Sequence, residues 1–238
     1  MKKQSTISNN TKRICGIAAF AAMAYVVTLV IHIPIPVLTF NFTLDFKDAL
    51  ICIGAFLYGP LAGVIISFIA AFIEFVSISG TGVQGLIMNF ASSAVFSFVA
   101  SFIYTRRKNL NMAIIGLYAG VASMTAVMLA LNLVVTPLYT GFPVSAVLAI
   151  IPTVLLPFNL AKGLVNGAIA LMLYKPVVIA MRRAKLVAGY SPKSGSEGSD
   201  GGYSAGYSPD KFSKQSVFTL IFGGVSIAVA VIIFLIII

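Results

Sequence analysis

Long apolar runs with few charged residues recur along the chain, and they restrict what it can fold into. A bilayer core about 30 Å thick is crossed by a helix of roughly 20 apolar residues. The whole chain is 59% hydrophobic and 9% charged, which leaves too little polar surface to cover a water-soluble globule. The sequence therefore predicts an all-α integral membrane protein, with spans within residues 14–33, 49–76, 83–104, 112–135, 151–174 and 217–238.

The basic residues decide how the run 49–76 is divided. If it formed one helix, Arg106, Arg107 and Lys108 would lie outside the cell, against the positive-inside rule. A break at Gly59-Pro60 gives helices over 45–58 and 60–77 and places the basic segments inside. A helix over 45–58 reaches only about 21 Å at 1.5 Å per residue. We therefore expect neighbouring helices and the preceding loop to cover its end.

The chain is expected to have four parts. Residues 1–13 form a cytoplasmic N-terminus, and residues 14–185 form a six-helix membrane domain that holds the predicted binding site. Residues 186–216 are rich in Gly and Ser and are predicted to be a flexible linker. Residues 217–238 are predicted to form a seventh transmembrane helix, an anchor or partner-binding element outside the six-helix core.

Polar side chains inside apolar helices are costly and indicate function. Lys162 lies within the last core helix, with Asn159 three positions before it and Asn166 four after, so all three share one helix face. In the predicted topology they lie in the outer half of the membrane. Four further polar residues reach the same depth from other helices: Glu74, Gln84, Asn89 and Asn132. These positions predict a cavity that opens to the exterior.

A structural role for the same residues is the alternative. Asn132 and Asn159 would then join helices and Lys162 would pair with Glu74, each contact contributing about 1 kcal/mol or less.

The segment between the first two helices, residues 32–46, would lie over the predicted cavity. It contains Pro34, Pro36, Phe40 and Asp45, and we expect it to act as a lid. His32 is the single histidine of the chain, and an interfacial or capping role fits it better than metal ligation, which needs convergent partners.

Several sequence motifs and several classes of protein function are excluded. The Gly80–Gly85 segment fits G-x-G-x-x-G, but no strand precedes it and it falls in a predicted outer turn. The sequence contains no phosphate-binding loop for ATP, and Cys15 and Cys52 lack the spacing of a metal site. No paired carboxylates or nucleophile–base pair lie in the spans, so an enzyme is not expected. The net charge is +10, but the basic residues flank the spans and do not form one patch that would bind nucleic acid.

The first helix carries a small-residue face that includes Ala18 and Ala22. Such a face lets another helix approach closely. Internal packing and docking of a second membrane subunit remain equally open from these residues.

Taken together, the motifs resemble the riboflavin-binding S-components of bacterial energy-coupling factor (ECF) transporters. The similarity covers about residues 12–185, and it rests on the alanine-rich first helix, the Gly-Pro-x-Ala-Gly break at 59–63, the Met88-Asn89 pair, the basic exit at 104–108 and the Pro-Phe-Asn-Leu-x-Lys-Gly segment at 157–163. The linker and the seventh helix depart from this pattern.

The resemblance implies a six-helix solute-binding subunit of the bacterial cytoplasmic membrane. Such a subunit docks through its alanine face, here Ala18 and Ala22, onto a transmembrane coupling subunit driven by two cytoplasmic ATPases. Riboflavin would be the transported ligand, and no cofactor or nucleic acid is implied.

The resemblance also implies roles within the site. Asn132, Asn159 and Lys162 would bond the polar edge of the flavin, while Thr39 and Asn41 would lie near its ribityl chain. An amide offers both a donor and an acceptor, and an ammonium group donates to carbonyls. The side chains available to pack on the ring face are Phe40, Phe42 and Met88.

Two alternatives stay open from the sequence. One is an S-component for another vitamin, for example pantothenate or folate. A less favoured reading is a non-transport membrane scaffold whose seventh helix recruits a partner.

Overall fold

Helices make up most of the protein. The structure is a computed structural model that describes residues 9–37, 40–78, 80–184, 186, 221 and 223–233. In chain order the elements are α1 (Asn9–Val30), β1 (His32–Val37), β2 (Phe40–Asp45), α2 (Lys47–Tyr58), α3 (Pro60–Ser77), α4 (Gly82–Thr105), α5 (Leu110–Thr140), α6 (Val144–Ile150), a π-helical turn (Ile151–Leu155), α7 (Leu156–Arg183) and α8 (Gly223–Ile233).

Five helices of the described chain are long and apolar enough to cross a membrane, and they are Asn10–Val30, Pro60–Ser77, Gly82–Thr105, Leu110–Thr140 and Val144–Met181. The last of these joins α6, the π-helical turn and α7 into one span. The prediction of an all-α membrane bundle is confirmed. With 12 residues, α2 is too short to be counted among them, as expected for the second helix.

The predicted break between the second and third helices lies at Gly59-Pro60. Gly59 has φ of 99°, a backbone conformation that favours glycine because it has no Cβ. Pro60 then opens α3 at the position where a missing N–H costs no hydrogen bond. The predicted start of the second helix at Asp45 was wrong, because the backbone of Asp45 pairs with His32 in a sheet and the helix begins at Lys47.

The segment expected to be a loop over the cavity forms an antiparallel hairpin of β1 and β2. His32 lies opposite Asp45, and the pairing continues residue by residue to Val37 opposite Phe40. Pro34 and Pro36 are compatible with β1 because this strand pairs only with β2 among the described elements, and proline is tolerated on an edge strand.

The short helix α2 lies at the centre of the bundle. It contacts α1, α3, α4 and α7, and every residue from Lys47 to Phe56 is buried. Longer helices therefore enclose both its apolar side chains and its charged first turn. This enclosure explains how a helix that does not span the core is accommodated.

Glycines allow α4 and α5 to approach each other closely. A Cβ on Gly116 would lie 2.5 Å from the Ala100 carbonyl oxygen, and a Cβ on Gly120 would lie 2.8 Å from the Phe96 carbonyl oxygen. Close backbone approach at small residues is a main source of helix association in lipid. These contacts fix the two helices that form one side of the site.

The fifth and sixth predicted spans are longer than expected. Helix α5 extends beyond residue 135 to Thr140 and ends at Gly141, which adopts a left-handed conformation with φ of 72°. The sixth span begins at Val144 and passes through the π-helical turn before α7. Apart from Leu186, the predicted linker lies outside the described residues, and α8 falls within the predicted seventh helix.

Candidate functional site

A cavity of about 280 Å³ opens between the hairpin and helices α4, α5 and α7. It lies at the end of the bundle that the charge pattern predicts to face the exterior. The predicted residues Gln84, Asn89, Asn132, Asn159 and Lys162 all line it. The remaining lining residues are Thr43, Thr81, Gly85, Met88, Ser92, Met128, Thr136, Thr140 and Phe158.

Each long helix presents a regular stripe to this cavity. In α4 the stripe contains Gln84, Met88 and Ser92, spaced four residues apart. In α5 the same spacing gives Met128, Asn132, Thr136 and Thr140. Residues four apart lie on one helix face, so two apolar stretches of sequence deliver hydroxyl, amide and thioether groups to the same wall.

The π-helical turn directs the start of α7. The N–H of Leu156 donates to the carbonyl of Ile151, five residues earlier, and Pro152 and Pro157 each lack a backbone donor. Such turns are frequent at functional sites. Phe158 and Asn159 follow within one turn and face the cavity.

The two cavity-lining asparagines of α5 and α7 anchor their amide nitrogens within their own helices. Asn132 Nδ2 donates to the Met128 carbonyl at 2.7 Å, and Asn159 Nδ2 donates to the Leu155 carbonyl at 2.7 Å. In the part of the chain that the structure describes, Asn132 and Asn159 bond only within their own spans, so neither joins two helices, contrary to the alternative considered for them. Among the described residues, the Asn159 Oδ1 atom accepts no hydrogen bond, so the carbonyl remains available to a ligand donor.

Lys162 reaches from α7 to the end of β2. Its Nζ atom donates to Asp45 Oδ2 at 3.0 Å, and its side chain is 8% exposed. The alternative in which Lys162 pairs with Glu74 does not hold for the described residues, because Lys162 pairs with Asp45 and Glu74 pairs with Lys47. An ammonium group has three donors, so this anchor leaves capacity for a carbonyl in the cavity.

A second lysine extends the ion pair away from the cavity. Lys47 Nζ lies 3.4 Å from Asp45 Oδ2 and 2.5 Å from Glu74 Oε2. Glu74 Oε1 in turn accepts a hydrogen bond from Asn89 Nδ2 at 3.0 Å. The chain Lys162–Asp45–Lys47–Glu74–Asn89, here called the charge network, connects two lining residues through three buried groups.

Glu74 is thus placed differently from the sequence expectation. It was predicted to contact substrate, but it does not line the cavity and both its carboxylate oxygens are occupied by Lys47 and Asn89. Its role in this structure is to orient Asn89, which does line the cavity.

The electrostatics of Asp45 follow from its two lysines. The carboxylate is 1% exposed, and burial alone would raise its pKa. The ammonium groups of Lys162 and Lys47 outweigh burial and hold the pKa of Asp45 at about 2. Asp45 is therefore ionised at neutral pH. Its other oxygen, Oδ1, is buried without a hydrogen-bond partner among the described residues.

Asn166 fastens the hairpin to the helices. Its Nδ2 atom donates to the Asp45 carbonyl at 2.9 Å and to the Lys162 carbonyl at 3.1 Å, while its Oδ1 atom accepts the N–H of Ala49 at 3.0 Å. The residue is fully buried. Asn166 shares a helix face with Lys162, as the spacing predicted, but its function is to hold the β2–α2 junction.

Sequence reasoning missed three charged residues of the site, namely Asp45, Lys47 and Asp48. Asp48 accepts a short hydrogen bond from Ser93 of α4, and all three residues are at most 2% exposed. The available signal was three charges within four positions at the edge of an apolar run. Asp45 was predicted to lie in the loop and at the start of the second helix, where charged side chains are usually exposed to water.

The predicted loop residues are placed only in part. Phe40 and Asn41 lie on β2, where Asn41 pairs with Pro36 and Phe40 with Val37. Thr39 lies outside the described residues. Thr43 of β2, which was not predicted, lines the cavity.

The chain matches a family model for the substrate-specific component of ECF transporters over residues 12–178. The chain belongs to this family. It is accordingly a multi-pass protein of the cytoplasmic membrane and a transporter subunit, not an enzyme.

Relatives of this S-component support the assignment. This chain is 33% identical over 178 residues to the riboflavin transporter RibU of Staphylococcus aureus (strain TCH60), and the match covers 72% of this chain and 93% of that protein. It is 28% identical over 188 residues to the riboflavin transporter FmnP of Bacillus subtilis (strain 168), covering 74% and 98%. A solved S component of a bacterial ECF transporter superposes with a TM-score of 0.62 at 30% identity, covering 73% of this chain and 99% of that one.

Proposed function

We propose that this S-component captures riboflavin in the cavity between the hairpin, α4, α5 and α7. The observation that carries the proposal is the joint presence of Asn159 and Lys162 on one wall of the cavity, in a chain whose relatives are riboflavin transporters. The cavity volume of about 280 Å³ is close to the lower bound of ligand pockets.

The chemistry of the walls suits the parts of riboflavin. Its ring system is flat and apolar, and Met88, Met128 and Phe158 offer apolar surface to such a ring. One ring edge alternates carbonyl and N–H groups, which match the Lys162 ammonium and the Asn159 carbonyl. The ribityl hydroxyls require further polar partners, which the α5 stripe supplies through Thr136 and Thr140.

The direct test is riboflavin binding by the purified chain, measured by calorimetry and by ligand-dependent thermal shift. Riboflavin should raise Tm by mass action, whereas pantothenate and folate should not. Asn159→Ala and Lys162→Ala should each weaken binding about 5- to 150-fold, the equivalent of about 1–3 kcal/mol for an unpaired buried group. A folded sample that binds no riboflavin would overturn the proposal.

Matched controls separate binding from folding. Asn111 is exposed at the opposite end of α5, and Asn111→Ala should leave riboflavin affinity unchanged. Lys12→Ala, at the start of α1, serves the same purpose for Lys162→Ala. If the control variants weaken binding as much as the cavity variants, the loss does not report on the cavity.

We further propose that α1 is the docking surface for a coupling subunit with two ATPases. Ala21 and Ala24 are buried against the bundle, whereas Ala18 and Ala22 on the same helix are exposed. The outward alanine pair therefore remains free for another helix. The family membership supports an ECF partner of this kind.

A further inference from the structure

Helix α8 lies beyond the part of the chain that the family model matches, which ends at residue 178. Its contacts with the bundle come from one face of small residues. Gly223, Ser226 and Ala230 are buried, whereas Gly224, Val225, Val229 and Ile232 are exposed. Spacings of three and four put the buried residues on one stripe.

This stripe is seated in the groove between α5 and α7. Ala230 is fully buried in a cluster with Ala161 and Val165 of α7. Ser226 Oγ lies 3.2 Å from the Tyr118 hydroxyl of α5, so a hydrogen bond joins α8 to the second wall. A Cβ on Gly223 would lie 2.6 Å from Met172 Cε, which shows how closely the helix backbone approaches α7.

These contacts define a direction. Gly223 lies beside Met172, in the second half of α7, and Ala230 lies beside Ala161 and Val165, in its first half. Helix α8 therefore runs antiparallel to α7, away from the end of the bundle that carries Arg106 to Lys108. Ile233 and Phe46 both pack against the Ala230 cluster, so the far end of α8 lies near the hairpin and the cavity.

We propose that the groove between α5 and α7 is a docking surface for α8 of the same chain, which crosses the membrane from the cytoplasmic side and ends beside the outer hairpin. The groove lies behind the cavity, because Asn159 and Lys162 line the cavity while Ala161 and Val165 contact α8. Helix α8 contacts α5 and α7, whereas α1 packs on α2 and α3, so the exposed alanine pair of α1 stays uncovered.

A cysteine crosslink in the full chain tests the docking. Ala230→Cys is combined with Val165→Cys in a Cys15→Ser background, with the buried Cys52 retained and a protease site inserted within residues 194–207. After oxidation and cleavage, a C-terminal tag should remain with the body of the protein on a non-reducing gel. The matched control, Val229→Cys with Val165→Cys, places the thiol on the exposed face and should release the tag.

Three results would overturn the proposal. The tag would be released from both pairs if α8 did not occupy the groove, and it would be retained equally in both if the contact were unspecific. Co-expression of two differently tagged copies would reveal exchange if α8 docked on a neighbouring copy instead.

The direction is tested independently in intact cells. A cysteine placed after a short glycine-serine tail following Ile238 should react with a membrane-impermeant thiol reagent without permeabilisation. A cysteine at Ser204 should react only after permeabilisation. Labelling of the tail only in permeabilised cells would show that α8 does not cross in the proposed direction, even if the variants used for crosslinking fail to fold.

Discussion

At the scale of single residues, the site depends on Asp45, because this carboxylate holds Lys162 in place and partly neutralises Lys47. Removal of one partner from a buried ion pair leaves an uncompensated charge and costs about 3–5 kcal/mol. Lys47 retains Glu74 as a second partner, whereas Lys162 has no other carboxylate within ion-pair distance in the described chain. Loss of Asp45 should therefore affect Lys162 most.

Asp45→Asn should lower Tm by several degrees and weaken riboflavin binding, since Lys162 loses both its counter-ion and its anchor. Thermal unfolding and calorimetry measure the two effects. Asp210→Asn, in the segment predicted as linker, is the control for loss of a carboxylate.

A double-mutant cycle tests the coupling of Asp45 and Lys162. In Asp45→Asn/Lys162→Met both charges are absent, so the decrease in Tm should be smaller than the sum of the decreases in the two single variants. Additive losses would show that the two residues are not coupled.

The pH dependence of stability follows from the depressed pKa of Asp45. The pKa is about 2 in the folded protein against a usual value of 3.8, so the stabilisation is fully present above the usual value and is lost as pH falls towards 2. The Tm difference between the wild type and Asp45→Asn should be constant from pH 5 to pH 8 and shrink below about pH 4. A difference that changes near neutral pH would implicate another group.

At the scale of the elements, the α4–α5 pair depends on backbone approach at glycine. Gly116 faces the Ala100 carbonyl, and this atom belongs to a rigid helix backbone that cannot move without separating the helices. Gly167 of α7 provides a contrast, because a Cβ there would meet only Leu117 Cβ at 3.8 Å, an ordinary contact distance.

Gly116→Ala should therefore lower Tm, while Gly167→Ala should leave it unchanged or raise it slightly. Alanine is favoured over glycine in a helix by about 1 kcal/mol. Of these two positions, Gly116 is the one where the added methyl group meets a steric clash that opposes this gain. Thermal unfolding of both variants in the same detergent makes the comparison. An equal response of the two positions would contradict the close approach of α4 and α5.

At the scale of the whole molecule, the proposed riboflavin cavity and the proposed docking surface lie on different parts of the protein. The cavity lies between the hairpin, α4, α5 and α7, whereas Ala18 and Ala22 are exposed on α1, which packs on α2 and α3. Changes on the docking surface should therefore leave the binding site intact.

Ala18→Leu with Ala22→Leu should abolish riboflavin uptake by cells that contain the complete transporter, while the purified variant binds riboflavin with unchanged affinity. The larger side chains prevent close approach of another helix. Ala122→Leu with Ala126→Leu, a second exposed alanine pair with the same spacing on α5, is the matched control and should transport normally. Equal loss of uptake in both pairs would show that α1 is not the specific docking surface.

The sequence by itself determined the long membrane-spanning helices and the helix faces that their polar residues share. Hydropathy and the positive-inside rule require no knowledge of which helices are neighbours, and Gly59-Pro60 ends one helix and starts the next through local backbone preference alone. The shared face of Asn159, Lys162 and Asn166 follows in the same way from helical periodicity.

Only the tertiary structure decided the partners. Lys162 pairs with Asp45 instead of Glu74, Asn166 binds the backbone at Asp45 and Ala49, and the expected loop is a hairpin that delivers Asp45 to the helices. Asp45 and Lys162 are 117 positions apart. Their contact depends on how α2, α3, α4, α5 and α7 pack against one another. Local sequence patterns do not describe that packing.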